Sequence, residues 1–415
     1  MSQNINQLSR CLRLFGLVAI MSLLAATSAI LQANDAVARF VNGGAVDPEK
    51  CSVFIMDLGD GRVIGEHNSK KPLVPASINK VVTIASLLEK SGIGYQYETK
   101  VYAGGRISNG VLDGNLIVVG GGDPSLGANV EPKGTDIMGE IVAALRENGI
   151  DTVAGNIEIE EGFFALPATP PSWQSGDLRQ AYGTGCHSLN YCRNASGSAA
   201  VADPAKVFIA RLQKTLTDAG ITVVGEVYYP SAKHKMLLNH KSPTIDEIMR
   251  SCMMRSDNLY AEAFIRTLGR LNGKDGSPEA GAASEIDFWR RKRLPVGDIK
   301  VVDGSGLSRS NRMTADFMAR VLKYMADNVD FASFFPLAGQ EGTLRNFLKG
   351  TSLDSYMALK TGSMNGIQCY AGYLLDDNYA PTHVVVVIVN GFRGSRADVK
   401  KGVADMLLEI FGQNR

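Results

Sequence analysis

Apolar and polar positions along the 415-residue chain follow two rhythms. Cys51-Ser-Val-Phe-Ile-Met-Asp57 is strand-like, Gly59-Asp60-Gly61 supplies a turn and Arg62-Val-Ile-Gly-Glu66 returns, so residues 51–67 predict a hairpin. Pro75-Ala76 ends extended structure. Beyond it Ile78, Val81, Val82, Ala85 and Leu88 recur at helical spacing, with Gly92 near the stop. From about Tyr97 to Pro230 short apolar runs alternate with glycines, at 114–119, 153–159 and 221–227, with helical patterns near 135–148 and 203–219. Helices return at Ile245–Met254, Asn258–Leu271 and Thr314–Asn328. The last quarter predicts strands at Tyr356–Lys360, Cys369–Leu375 and His383–Asn390 and a closing helix from about Arg396 to Phe411. Val384-Val-Val-Val-Ile-Val389 is apolar without interruption, the mark of a strand covered on both faces. The pattern therefore predicts an α/β fold. One domain is built from 43–97 plus 240–415, with its sheet between helices, and a β-rich domain of 98–239 is inserted into it.

Composition changes this picture little. Hydrophobic residues make up 45%, charged residues 20%, and the net charge is +1, as in an ordinary globular protein without a nucleic-acid-binding face. The N-terminus adds more. Arg10 and Arg13 precede an uncharged apolar run from Leu14 to Ala26, and Thr27, Ser28 and Ala29 offer a cleavage site, the layout of a secretory signal over 1–29. Export to the periplasm or cell envelope follows, and peripheral membrane contact is left open. Five cysteines lie beyond it, an odd number; Cys186 and Cys192 are equally readable as a bridge or as two thiols. The histidines are scattered, without zinc spacing, so neither a metal nor another cofactor is expected.

Chemistry concentrates in three short motifs that occur in order: Ser77-Ile-Asn-Lys80, Ser256-Asp-Asn258 and Lys360-Thr-Gly362. Each alone is weak. Ser77 could be a plain helix cap, Lys80 a surface lysine, Ser256-Asp257-Asn258 another cap and Lys360-Thr361-Gly362 a strand end. Together they form the trio of class A β-lactamases and penicillin-binding proteins. A serine at a helix start faces unpaired backbone N–H groups, which favour a developing oxyanion. Its hydroxyl needs a base to become a nucleophile. Lys80, one turn on, can serve if burial and a second cation, Lys360, depress its pKa. The backbone N–H of Ser363 is a candidate second oxyanion donor. Ser256 is placed to relay a proton and Asn258 to bind a substrate amide. Two glycine-rich runs are set aside. Gly120-Gly-Gly-Asp123 lacks the lysine of a phosphate loop, and Asp303-Gly-Ser305-Gly306 lacks the first glycine of a nucleophile elbow.

With Pro75-Ala-Ser-Ile-Asn-Lys80, Gly120-Gly-Gly-Asp-Pro124, Ser256-Asp-Asn-Leu-Tyr-Ala-Glu262, Asp303-Gly-Ser-Gly-Leu-Ser-Arg309, Lys360-Thr-Gly-Ser-Met-Asn-Gly366 and Ala371-Gly-Tyr373, the chain resembles the D-alanyl-D-alanine carboxypeptidase/endopeptidase family. These are the DacB-type, low-molecular-mass class C penicillin-binding proteins. The likeness runs from about 45 to 412. It implies a penicillin-binding, serine β-lactamase-like domain with an antiparallel sheet flanked by helices. It implies peptidoglycan stem peptides as substrates, an acyl-enzyme on Ser77 and β-lactams as covalent inhibitors. By motif position it implies Lys80 as base, Ser256 as relay, Asn258 as substrate ligand, Lys360 as electrostatic anchor and Thr361, Gly362 and Ser363 along the substrate. Thr361 would bind the terminal carboxylate, and Arg309 and Asp177 would touch the stem-peptide side chain. The 179 residues between the first two motifs are fewer than many relatives carry. A serine β-lactamase or D-amino-acid esterase uses the same trio, but Glu140, Glu158 and Glu161 fall in no obvious deacylating loop. A non-catalytic wall-binding protein would not need the whole trio.

Overall fold

The computed structural model describes residues 30–414 apart from 134–135, 226–228, 231 and 329–330; the N-terminal 1–29 and part of the 221–227 strand lie outside the described residues. In chain order, a helix over 30–42 (α1) leads to β1 (Cys51–Asp57), β2 (Val63–His67) and α2 (Asn79–Ser91). α3 (Ile137–Glu147) and α4 (Pro204–Asp218) belong to the middle of the chain. Then come α5 (Ile245–Arg255), α6 (Asn258–Leu271), α7 (Pro278–Arg291) and α8 (Ala315–Met325), followed by β3 (Met357–Met364), β4 (Ile367–Leu375), β5 (Pro381–Asn390) and α9 (Arg396–Phe411).

The five strands form one antiparallel sheet in the order β3-β4-β5-β1-β2. Side chains alternate across it. Phe54, Met56, Ala358, Val384, Val386 and Ile388 enter a core with residues of α2, α5, α6 and α8. Val53, Ile55, Leu359, Val385, Val387 and Val389 enter a second core with α1 and α9. The unbroken valine run is thus covered on both faces, as its pattern predicts.

The middle of the chain holds two four-stranded sheets. One runs Lys235–Lys241, Glu98–Ala103, Leu116–Val119, Ile157–Glu160; the other runs Thr222–Val223, Thr152–Val153, Val111–Asp113, Arg106–Ser108. Both enclose a core of their own with α3 and α4. The chain enters this middle region at Tyr97 and leaves it at Ser242, where Tyr97 N–H donates to Ser242 Oγ at 3.0 Å and Ser242 N–H donates to the Tyr97 carbonyl at 3.0 Å.

Three features depart from the sequence reading. The helix over 30–42 buries Ala33, Ala36, Val37, Phe40 and Val41 in the second core, although that reading starts the domain at 43. α7 was not expected because its buried face mixes Pro278, Gly281, Ala282, Ser284 and Glu285 with a single large apolar residue, Trp289. Gly281 lets it approach α6 so closely that a Cβ there would lie 2.3 Å from the Ile265 carbonyl oxygen. Lys360-Thr361-Gly362 sits in mid-strand, since β3 runs on to Met364 before the hairpin turn at Asn365-Gly366. No helix among the described residues is long and apolar enough to cross a membrane.

Candidate active site

Ser77 lies in a single 3-10 turn, Ala76–Ile78, that runs straight into α2. Its hydroxyl is therefore at a helix start, where backbone N–H groups have no partner inside the helix. Ala76 just before it has φ +48°, a left-handed conformation costly for alanine, and is fully buried. Its carbonyl is pressed by Gly306, where a Cβ would lie 1.9 Å from the Ala76 oxygen. Packing over-determines this turn and fixes the serine.

Lys80 sits one turn along α2, fully buried. Its Nζ is 3.0 Å from Ser77 Oγ, 2.7 Å from Asn258 Oδ1 and 2.6 Å from the Ser305 carbonyl. Lys360 is equally buried; its Nζ donates to Ser256 Oγ at 2.9 Å and to the Thr361 carbonyl at 2.7 Å. Burial depresses the pKa of both lysines, and the charge of Lys80 presses Lys360 further down. Nearby acidic groups, Cys252, Asp303, Glu262 and Asp257, partly oppose the shift at Lys80.

Ser256 and Asn258 flank the junction of α5 and α6. Ser256 ends α5 in a left-handed conformation, φ +57° and ψ +41°. Asp257 caps α6 by accepting from Tyr260 N–H. Asn258 uses both ends of its amide: the oxygen receives Lys80, and Nδ2 donates to the Tyr182 carbonyl at 2.8 Å.

β3 is an edge strand. Leu359 N–H donates outward to the Pro336 carbonyl and the Met357 carbonyl accepts from Ala338. In an antiparallel pair, outward-facing backbone groups recur every second residue. Beyond Pro336 the edge opens, so the N–H groups of Thr361 and Ser363 face the cleft. Gly362 brings this edge against the serine: a Cβ there would lie 2.9 Å from the Pro75 oxygen and 3.0 Å from Ser77 N. The edge of β3 at Gly362 is thus packed against the turn that carries Ser77.

The structure brings Ser77, Lys80, Ser256, Asn258, Lys360, Thr361, Gly362 and Ser363 together. Among the described residues, Arg309 and Asp177 make no hydrogen bond or ion pair with these. Arg309 donates to the Asn365 carbonyl at the far end of β3 at 2.9 Å, and Asp177 accepts from the hydroxyl of Tyr182. Cys186, buried, and Cys192, exposed, are free thiols. Ser305 is fully buried, with its hydroxyl accepting from Leu307 N–H; its carbonyl holds Lys80 instead.

Sequence reasoning missed the layer beneath Lys80. Asp303 accepts four hydrogen bonds, from Trp173 Nε1, Gly306 N, Ser308 N and Asn311 Nδ2. Glu262 accepts from Ser305 N–H at 2.8 Å, and burial with the charge of Asp303 pushes its carboxyl up to about 7. Glu285 is fully buried beside them and pushed up to about 8, chiefly by burial. The signal for Glu262 was its place four residues after Asn258, on the same face of α6.

Fold and cleft define the class: a serine-type peptidase with the penicillin-binding, serine β-lactamase-like fold. The chain belongs to the D-Ala-D-Ala carboxypeptidase 3 (S13) family, whose model matches residues 33–197 and 184–409. It is 24% identical over 393 residues to the D-alanyl-D-alanine carboxypeptidase DacB of Haemophilus influenzae, covering 77% of this chain and 81% of that protein. It is 23% identical over 448 residues to a D-alanyl-D-alanine carboxypeptidase of Actinomadura sp. R39, covering 85% and 82%. The crystal structure of penicillin-binding protein 4 from Haemophilus influenzae superposes with a TM-score of 0.78 at 21% identity, over 89% of this chain and 98% of that one.

Proposed function

We propose that this chain is an exported D-alanyl-D-alanine carboxypeptidase/endopeptidase that works on peptidoglycan stem peptides through an acyl-enzyme on Ser77. The observation that carries the reading is the buried Lys80 at 3.0 Å from Ser77 Oγ with its other two contacts already satisfied. A neutral amine has two hydrogens and one lone pair. With the hydrogens on Asn258 Oδ1 and the Ser305 carbonyl, the lone pair faces the Ser77 hydroxyl. Lys80 takes that proton as Ser77 Oγ bonds to the scissile carbonyl carbon. The N–H groups of Ser77 and Ser363 hold the oxyanion. When the C–N bond breaks, the Ser256 hydroxyl delivers a proton to the departing amine and recovers one from Lys80 as Lys360 holds it in place. Water then releases the acyl group. Asn258 holds the acyl-side amide, Thr361 binds the terminal carboxylate, and Arg309 and Asp177 meet the stem-peptide side chain. In this reading 43–97 plus 240–415 catalyse and 98–239 shape access. The apolar N-terminal run directs the protein to the periplasm or cell envelope, and β-lactams acylate Ser77.

The test is mass spectrometry of the protein after brief exposure to penicillin, with Ser77→Ala as control. The expected result is a persistent adduct of one penicillin that the variant lacks. Penicillin destroyed without an adduct points to a β-lactamase, and penicillin left intact removes the reading.

A further inference from the structure

The stretch 303–308 lies along α2 and gives that helix its carbonyls in succession. Asp303 O accepts from Asn79 Nδ2 at 2.8 Å, Gly304 O from Thr83 Oγ1 at 3.2 Å and Ser305 O from Lys80 Nζ at 2.6 Å. Two glycines permit the fit. A Cβ on Gly304 would lie 2.3 Å from the Ala261 carbonyl oxygen of α6, and one on Gly306 would lie 1.9 Å from the Ala76 oxygen. Ser305, between them, spans from α6 to the turn that carries Ser77.

The N–H groups of the stretch are held differently. Gly306 and Ser308 donate to the Asp303 carboxylate and Leu307 donates to Ser305 Oγ, all within the stretch. Ser305 N–H instead crosses to α6 and donates to Glu262 Oε1 at 2.8 Å. Glu262 is fully buried, and its other oxygen closes no hydrogen bond of normal geometry. Burying a carboxyl group with so few partners is costly. Arg266, one turn further along α6, eases that cost through its charge but gives Nη1 and Nη2 to the carbonyls of Ala165, Pro167 and Ala168. What the acid holds is Ser305, and Ser305 holds Lys80.

We infer that Glu262 is a positioning residue for the general base: by holding the Ser305 backbone it keeps the Ser305 carbonyl on Lys80 Nζ and so aims the amine at Ser77 Oγ. This rests on the reading of Ser77 as nucleophile and Lys80 as its base. Lys80 has two fixed acceptors besides Ser77, Asn258 Oδ1 and the Ser305 carbonyl. With one of them loosened, the amine turns about the other and its lone pair leaves the serine. The surfaces that bind substrate stay as they are.

The test resolves penicillin acylation of the full chain into binding and chemistry, by stopped flow over a range of penicillin concentrations. Glu262→Met fills the same space without an acceptor of comparable strength. Its acylation rate constant at saturation should fall about tenfold or more, with the dissociation constant for penicillin within about twofold of the parent's. Glu262→Gln, whose amide oxygen still accepts from Ser305 N–H, should recover most of the rate. Phe264→Leu removes buried volume two positions along α6, on another face of the helix. It should lower the melting temperature and leave the rate constant in place. Glu262→Ala gives the same comparison with Glu262→Gln where Glu262→Met does not fold. An unslowed Glu262→Met, a Glu262→Gln as slow as Glu262→Met, a Phe264→Leu slowed to the same extent, or a loss confined to binding overturns the positioning role. A parent that is acylated no faster than Glu262→Met refutes that role alone. A parent that forms no adduct at all refutes the nucleophile and the positioning role with it.

Discussion

The catalytic sheet and the middle of the chain are built from the same residue types yet hold their shapes differently. Strands β1 to β5 are 5–10 residues long, and the central ones are covered on both faces. In the middle region several strands are only 2–4 residues, and one core serves both sheets. Long, doubly covered strands transmit position through packing. Short ones do so less, and among the described residues much of the middle region's contact with the catalytic region runs through an irregular stretch between 161 and 200, where Phe164 and Cys186 enter the first core, Arg266 holds the Ala165, Pro167 and Ala168 carbonyls, and further polar contacts are made. Trp173 Nε1 donates to Asp303 at 2.8 Å, Ser172 meets Ser308 at 2.8 Å and Arg193 Nε donates to Asp257 at 2.8 Å. Packing of long strands sets the motif residues, and polar clamps add to apolar contacts where the middle region attaches.

This contrast can be broken at its strongest point. Gly362→Ala forces a Cβ to within about 3 Å of the Ser77 backbone and removes none of the motif side chains. Misplacing the edge of β3 by about 1 Å should slow penicillin acylation about 10²-fold. Stopped-flow acylation with a parallel melting curve checks this; an unslowed rate in a folded variant would show that the oxyanion site does not depend on that contact. Next in size is the clamp. Cys192, Arg193 and Asn194 all have positive φ, near +50° to +58°, a strained turn that carries Arg193 to the buried Asp257. Asp257 caps α6 between Ser256 and Asn258. Arg193→Ala should loosen that cap by about 1 kcal/mol, the usual worth of one, and slow acylation roughly five- to tenfold. Arg193→Lys should recover part of the loss. Equal rates for all three proteins would mean the middle region does not set the site.

The same contrast separates what the sequence made legible. Elements that follow a local pattern were readable: the 51–67 hairpin, α2, α6 and α9. The both-faces-covered strand was readable because burial leaves an unbroken apolar run. α7 was hidden because its buried face is mostly small or polar, with Trp289 alone as a large apolar residue, and so carries no apolar period. The stretch from 161 to 200 was hidden because it has neither period. Asp303 and Glu262 stood inside motifs noted for other reasons. Their place near the site shows only in the fold, through their electrostatic influence on Lys80, between residues more than 180 positions apart that no spacing links.

Glu285 sharpens the comparison by a smaller effect. Two buried acids, one in each region, have pKa values raised by burial. Asp123, in the middle region, accepts from Ser125 N–H at 2.8 Å and Ser125 Oγ at 2.6 Å, which offsets part of its burial. Glu285, in α7, has no hydrogen bond of normal geometry at either oxygen and is pushed up to about 8. In the unfolded chain it titrates near its ordinary value of 4.5. Between these values the folded chain keeps a proton that the unfolded chain has lost, so the stability due to the neutral acid is complete below about 4.5 and is lost as pH rises through about 8. Glu285→Gln keeps the shape and removes the titration. Its melting temperature should match or trail that of the parent at pH 5 and exceed it by a few degrees at pH 8.5, since about 1 kcal/mol moves Tm by ~2–4 °C in a domain of this size. Tryptophan fluorescence is a suitable probe, because Trp289 lies one turn from Glu285 on the same helix. Melting curves of parent and variant that stay parallel across this pH range would mean that Glu285 is ionised in the fold, and that the layer under Lys80 holds a charge rather than a neutral acid.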